Sequence, residues 1–430
     1  MRTGIKIYTN FFSGDYLHLV AVTLLATLPI LFFLGTGILN LGIILLDLIF
    51  IAEIIKKKRI NFFKNYIFYS LIILWISFLI NIFLSIDPSN SFKRGFGFLR
   101  FIFLVMSILY FLNIDNEKYQ KIILSSWVIT FFITTFDLIF ELITGKNILG
   151  FESYIHGRLA GFFNDELIIG HFYYSFILIT ITYLLSKYFN KEISIFNKKY
   201  HSKNFIYIFI LLFLAVSFFI GERSNFIKIL IMIFLFTFLF EKKFYKLKIV
   251  LFSIFFTFII TIISINDKYQ KRFVDQFINI YLKNPIESIS NSEHGGHYLT
   301  ALKIFDNNKM FGVGLKNYSE EIKKEEYKDF FYYQSIDPST HPHQIHFEFL
   351  SELGLFGYLI LITFFIYHFN KYLKNNKFNN NLNLSGLLFI ITSLLPILPS
   401  GSFFTSHAAT FFWINFAMMC LSQQKLNYSK

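Results

Sequence analysis

The sequence predicts an all-α polytopic membrane protein of about twelve transmembrane helices, with one large loop between the ninth and tenth. Three observations carry this. Apolar runs near twenty residues recur along all 430 residues, each long enough to cross about 30 Å of hydrocarbon as a helix. Charged residues make up 16%, where a soluble domain carries roughly a quarter. Lysine is concentrated between the apolar runs rather than within them. A β-barrel is excluded because its strands would be shorter and would alternate polar with apolar residues.

The elements follow in order. Residues 1–14 are short and polar, and the first run, about 16–34, is followed at once by a second at 37–55. The first run is therefore expected to be a span and not a cleavable signal peptide. Runs at 66–86, 95–112, 121–143 and 167–186 give spans three to six. Spans seven and eight, 205–220 and 225–240, flank a polar turn, and span nine covers 248–265. Spans ten to twelve are read at 346–369, 385–399 and 403–421, the eleventh being short. The chain thus divides into 1–265 (helices one to nine), 266–345 (a loop subdomain) and 346–430 (helices ten to twelve). About eighty residues is too many for a bare connector. Helix-like residues Tyr298–Asn307 and turns at Asn284-Pro285, Gly312-Val313-Gly314 and Asp337-Pro338 predict a small cap on the bundle.

Charge sets the orientation. With the N-terminus in the cytoplasm, 23 lysines and arginines fall in the inside segments, against five in the short outside loops. The positive-inside rule then predicts N-in, C-in and an even span count. It puts 144–166, the turn at 221–224 and the 266–345 loop outside. The net charge of +13 is explained by these lysines; with no basic, aromatic-interleaved module, nucleic acid is not an expected partner. A single cysteine, Cys420, rules out an intrachain disulfide.

Three clusters could carry chemistry. Thr340-His341-Pro342-His343-Gln344-Ile345-His346 enters span ten from the outer loop. His343 there could act as a general base near neutral pH, or could merely cap the helix. Glu348 and Glu352 follow one turn apart on one face. His341, His343 and His346 also raise a metal site, but the spacing is not HExxH and no second cluster completes it, so no metal is expected. Second, Glu222 and Arg223 are the only charges between Asn204 and Lys228. Charge at such a position is costly and is retained for function or for pairing. Arginine suits diphosphate, because its planar fork donates two hydrogen bonds and stays charged. Third, Arg158-Leu159-Ala160-Gly161-Phe162 leads into span six, where Arg158 could meet an anionic head group. His294 and His297 precede the loop's amphipathic stretch, Arg272 is that loop's only arginine, and Arg94 and Arg100 flank the start of span four. There is no Walker A sequence, no GxSxG and no DxD pair for a nucleotide-sugar.

Taken together, the chain resembles the O-antigen ligase family of the ligase/polymerase superfamily. The motif that carries the resemblance is His343, Gln344, nine residues from Ile345 to Leu353, Gly354, Leu355-Phe356 and Gly357. Twelve spans with a large loop just before it, Arg223 after an apolar hairpin, and the Arg158–Phe162 stretch add to it. The resemblance implies a GT-C-like membrane fold in the inner membrane with its active site facing the periplasm. It implies metal-independent, cofactor-free transfer of a glycan from undecaprenyl diphosphate to a sugar hydroxyl of lipid A–core. His343 and Arg223 would be catalytic; Arg158, Gln344, His294, His297, Arg272 and Glu348 would contact substrate. One departure is that the family's further loop arginine is replaced here by His294 or His297, with Arg272 upstream. A polymerase, or a ligase acting on protein, shares these features. A lipid-linked glycan transporter is the non-enzymatic alternative; it would line several spans with charge, whereas only Arg100 lies mid-membrane.

Overall fold

The computed structural model describes residues 16–113, 117–155, 157–164, 166, 168–188, 192–195, 198–240, 245–278, 292–330, 341–375 and 381–421. The chain folds as a helical bundle. Helices α1 (Tyr16–Leu31), α2 (Thr36–Lys56), α3 (Tyr66–Leu84), α4 (Pro88–Gly97), α5 (Leu99–Asn113), α6 (Glu117–Thr144) and α7 (Ile169–Tyr188) come first. A short antiparallel hairpin, Glu192–Ile195 with Lys198–His201, precedes α8 (Ser202–Phe219), α9 (Arg223–Phe240) and α10 (Tyr245–Ile265). The outer segment contributes α11 (Glu293–Asn307) and α12 (Tyr318–Glu321). The chain then forms α13 (Ile345–Asn375), α14 (Asn381–Ser393) and α15 (Ser406–Cys420).

Every predicted span overlaps a helix, the eleventh only in part. Among the described residues eight stretches are long and apolar enough to cross a membrane, so the chain is a multi-pass membrane protein. The predicted spans seven, eight, eleven and twelve lie on α8, α9, α14 and α15, which run 13 to 18 residues. Span four is two helices, α4 and α5, with Asp87 capping α4 through the amides of Ser89 and Asn90 and Pro88 in its first turn.

Helices apolar on every side lie at the centre, as α5, α7 and α15 do: from Thr410 to Cys420 every residue of α15 is buried. The outer helices turn side chains such as Leu41, Leu48, Ile73, Ile80, Ile129 and Phe136 outward, where lipid accepts them. Lipid tails are as apolar as leucine, so close approach and polar links hold such helices together. Gly386 lets α14 meet the α15 backbone, since a Cβ there would lie 2.3 Å from Asn415 O and Met419 N. The Asn415 amide donates to Ser175 Oγ at 2.7 Å, tying α15 to α7.

The eleventh span differs from its predicted extent. The helix ends at Ser393, and 394–405 run irregularly until α15 begins. Pro396 and Pro399 cannot donate within a helix, and irregular backbone survives at membrane depth only where protein or a cavity surrounds it. Helix α13 also breaks, at Gly354 (φ 65°, ψ −167°). The freed amides of Leu355 and Phe356 donate to the carbonyls of Lys309 (2.8 Å) and Met310 (3.0 Å), while Val313 and Gly314 donate to Ser351 and Glu352. This joins the outer segment to the bundle. That segment has a small core of its own around Ala301, Ile304, Val313, Tyr318, Ile322 and Tyr327.

Candidate functional site

At the end of the bundle that carries 144–166 and the outer segment lies a cavity of about 410 Å³. It is built from four separate stretches. The first is the approach to α7. The Glu141 carboxylate accepts from the amides of Ala160 (2.7 Å) and Gly161 (2.8 Å), and Asp137 accepts from Ile148 (2.9 Å). The Leu159 amide donates to Ile220 O at 3.2 Å, so Arg158 is set beside the 221–224 turn.

The second stretch is that turn. Arg223 opens α9 and lines the cavity with Arg158. Glu222 is buried and folds back: Oε1 accepts from the Gly170 amide (3.3 Å), and Oε2 accepts from the Asn225 side chain (2.5 Å). At Gly170 a Cβ would stand 2.3 Å from Glu222 Oε2, so a side chain there would displace the carboxylate. The third stretch is 398–401, held by α9: Ser224 Oγ and Lys228 Nζ both donate to Pro399 O, at 2.8 and 2.5 Å.

The fourth is the histidine group from the outer segment. His294, His341 and His343 line the cavity. The His343 ring centroid lies 4.2 Å from that of His341, 5.2 Å from His294 and 5.5 Å from His297. His343 has φ 58°, a left-handed conformation uncommon outside glycine, and its carbonyl accepts from the Ser400 amide at 2.6 Å. Burial, followed by the charge of His294, pulls the His343 imidazole down to about 4. His294 and His297 are also held to about 4, chiefly by burial, and burial puts His341 well below the ordinary range. All four rings are therefore neutral at pH 7.

Four helices begin at this cavity. His171 is in the first turn of α7, Arg223 opens α9, His294 is in the first turn of α11, and His343 lies two residues before α13. Helix N-termini carry partial positive charge, which adds to the two arginines in favouring an anion. Arg158 Nε, His171 Nε2, His294 Nδ1 and Ser400 Oγ are buried and make no hydrogen bond among the described residues. An oxygen-rich anionic ligand supplies acceptors for Arg158 Nε, for Ser400 Oγ and for a ring nitrogen that carries its hydrogen.

Of the residues singled out in the sequence, Arg158, Arg223, His294 and His343 are brought together here. His297 is buried behind them, with Nδ1 3.2 Å from the Tyr318 hydroxyl. Gln344 is buried and caps α13, its Oε1 accepting from the amides of His346 (2.6 Å) and Phe347 (3.2 Å). Glu348 is buried 3.7 Å from Arg94; it accepts from Ser402 Oγ and from the Phe403 amide (2.8 Å), bracing the wall that includes 398–401. The Arg272 side chain lies outside the described residues. His346 points away from His343, its Nε2 2.9 Å from Leu394 O, and among the described residues no three His, Cys, Asp or Glu are grouped to hold a metal. His171, Ser400 and Gly401 were not singled out, although Pro396 and Pro399 in an apolar run already mark a broken helix.

No curated protein matches the chain. Residues 208–362 match the model of a family described as O-antigen ligase. The matched region runs from α8 through Arg223, the outer segment and the His343–Gly357 motif, and leaves Arg158 and His171 upstream. The chain is a multi-pass membrane protein that matches, over 208–362, the O-antigen ligase family its motifs resemble.

Proposed function

We infer that this protein transfers a glycan from undecaprenyl diphosphate to a sugar hydroxyl of lipid A–core, at the periplasmic face of the inner membrane. The observation that supports this is the gathering of Arg158, Arg223 and neutral His343 around one cavity with unpartnered donors. Arg223 and Arg158 bind the diphosphate. His343 takes the proton of the acceptor hydroxyl as its oxygen attacks the anomeric carbon. The bond from that carbon to the diphosphate oxygen breaks, and the diphosphate leaves with the electron pair. Two guanidinium groups in a largely buried site stabilise the charge that develops on this leaving group. The reading is metal-independent, because the arginines supply the positive charge and the donor arrives already activated.

The test is transfer in nanodiscs from purified lipid-linked donor to lipid A–core, with and without chelator. Product that forms equally with chelator present supports the reading. Chain extension on the lipid carrier, without transfer to lipid A–core, would replace it with a polymerase.

A further inference from the structure

His171 has no part in the mechanism above, yet its surroundings define it closely. It is in the first turn of α7 and lines the same cavity as Arg158, Arg223 and His343. Its Nδ1 lies 3.1 Å from the Asn225 amide nitrogen and 3.7 Å from Glu222 Oε2, the second distance being too long for a hydrogen bond. The Asn225 amide nitrogen is also 2.5 Å from Glu222 Oε2. That contact fixes the orientation of the amide, since the reverse flip would press the Asn225 oxygen against a carboxylate oxygen. The Asn225 NH₂ then donates one hydrogen to Glu222 and the other to His171 Nδ1. A ring nitrogen that accepts carries no hydrogen, so the proton of the neutral imidazole is on Nε2. His171 Nε2 is buried and makes no hydrogen bond among the described residues. Gly401 stands across from it: a Cβ there would lie 3.8 Å from Nε2.

We propose that His171 is a third diphosphate-contacting residue of this cavity beside Arg158 and Arg223, a neutral imidazole whose Nε2–H donates a hydrogen bond to a diphosphate oxygen. The inference rests on the diphosphate reading given above. Glu222 and Asn225 act through His171, by orienting the ring and selecting its tautomer. Compared with a third cation, a neutral donor recognises a phosphate oxygen without adding positive charge beside Arg158 and Arg223. The Glu222 carboxylate, which also lines the cavity, is engaged by the Asn225 side chain and the Gly170 amide.

The test uses the full chain in nanodiscs, with farnesyl diphosphate as probe and farnesol as control. His171→Phe is expected to weaken farnesyl diphosphate roughly 10- to 100-fold, the range for a hydrogen bond to a charged group, with farnesol unchanged. His171→Gln keeps an N–H donor near the position of Nε2 and is expected to bind within about 5-fold of wild type. Nitrogen-15 spectra of labelled histidine should show an unprotonated Nδ1 and a protonated Nε2 at His171. Wild-type affinity in His171→Phe, alongside lost affinity in Arg223→Ala, overturns the inference and leaves the diphosphate reading standing. Equal loss in His171→Phe and His171→Gln at unchanged melting temperature assigns the ring a shape role and also overturns it. If neither Arg223→Ala nor His171→Phe weakens the probe, the diphosphate reading itself falls.

Discussion

The carbonyl of Gly157 lies 2.1 Å from where a Cβ on Gly221 would stand, so the backbones that carry Arg158 and Arg223 are in direct contact. Gly221 has φ +80°, which a residue with a side chain rarely adopts. Gly221→Ala is therefore strained twice, by conformation and by collision with backbone that cannot rotate away. We expect it to push the two arginines apart and to lower transfer at least about 10-fold, with stability falling by about 1 kcal/mol or more. Activity and melting temperature of the purified variant check this, and a fully active Gly221→Ala would show that the arginines need not adjoin.

Arg223 separates charge from geometry. A diphosphate held by a planar fork needs both the positive charge and the paired donors. Arg223→Lys keeps the first and loses the second, so a large loss of transfer is expected, with Arg223→Ala about 10²- to 10³-fold down. Near-normal transfer by the lysine variant, at matched protein levels, would count against a bidentate clamp.

The acid sensitivity of the proposed transfer tests the role given to His343. With its imidazole drawn down to about 4, the ring is free to accept a proton at every pH above that. For the free enzyme, kcat/KM should stay level from about pH 8 down to 5 and fall only toward 4. Bound diphosphate is anionic and favours the protonated ring, so the limb in kcat should lie at higher pH. The same depression makes the fold acid-sensitive: an unfolded histidine binds its proton near 6.5, so stability is present above that value and declines as pH falls toward 4. His343→Ala should lower kcat about 10²- to 10⁴-fold while leaving the protein in the membrane. A kcat/KM limb centred near 6.5 would instead indicate an open, hydrated ring.

Glu348 is expected to be structural in its effect. It is buried against Arg94 and accepts from Ser402 Oγ and the Phe403 amide. Glu348→Ala leaves the Ser402 hydroxyl and the Phe403 amide without that acceptor, at about 1–3 kcal/mol for each buried group, while Arg94 keeps Glu352 at 3.1 Å. The melting temperature should fall steeply, with Glu348→Gln intermediate. The fraction that remains folded should bind farnesyl diphosphate normally; weakened binding in that fraction would make Glu348 a substrate contact.

Much of this was legible in the residues themselves. Spans show as apolar runs because hydrocarbon demands them, and Arg158, Arg223 and His343 stand out because charge or imidazole at a span's edge is costly to keep. The two glycines of the His343 motif read as a pattern; in the fold Gly354 takes φ 65° and its Cα lies against the backbone of Met310 and Phe311. His171 was not legible, since a histidine inside an apolar run means nothing until Asn225, over fifty residues away, is seen to orient it. The break at 394–405 was half legible, through its two prolines; its partners at Ser224, Lys228 and Glu348 come only with tertiary structure.

That break has a consequence for biosynthesis. A nascent chain synthesised as far as residue 227 already holds both arginines, and one that has reached residue 343 holds the histidines as well. The wall formed by 398–401 does not yet exist, and neither do Pro399 O, the acceptor for Lys228, and the Ser400 amide that donates to His343 O. Until 398–401 follow, one wall of the cavity that Arg158 and Arg223 line is missing. Synthesis order thus completes this cavity only after the outer segment and α14 have been made.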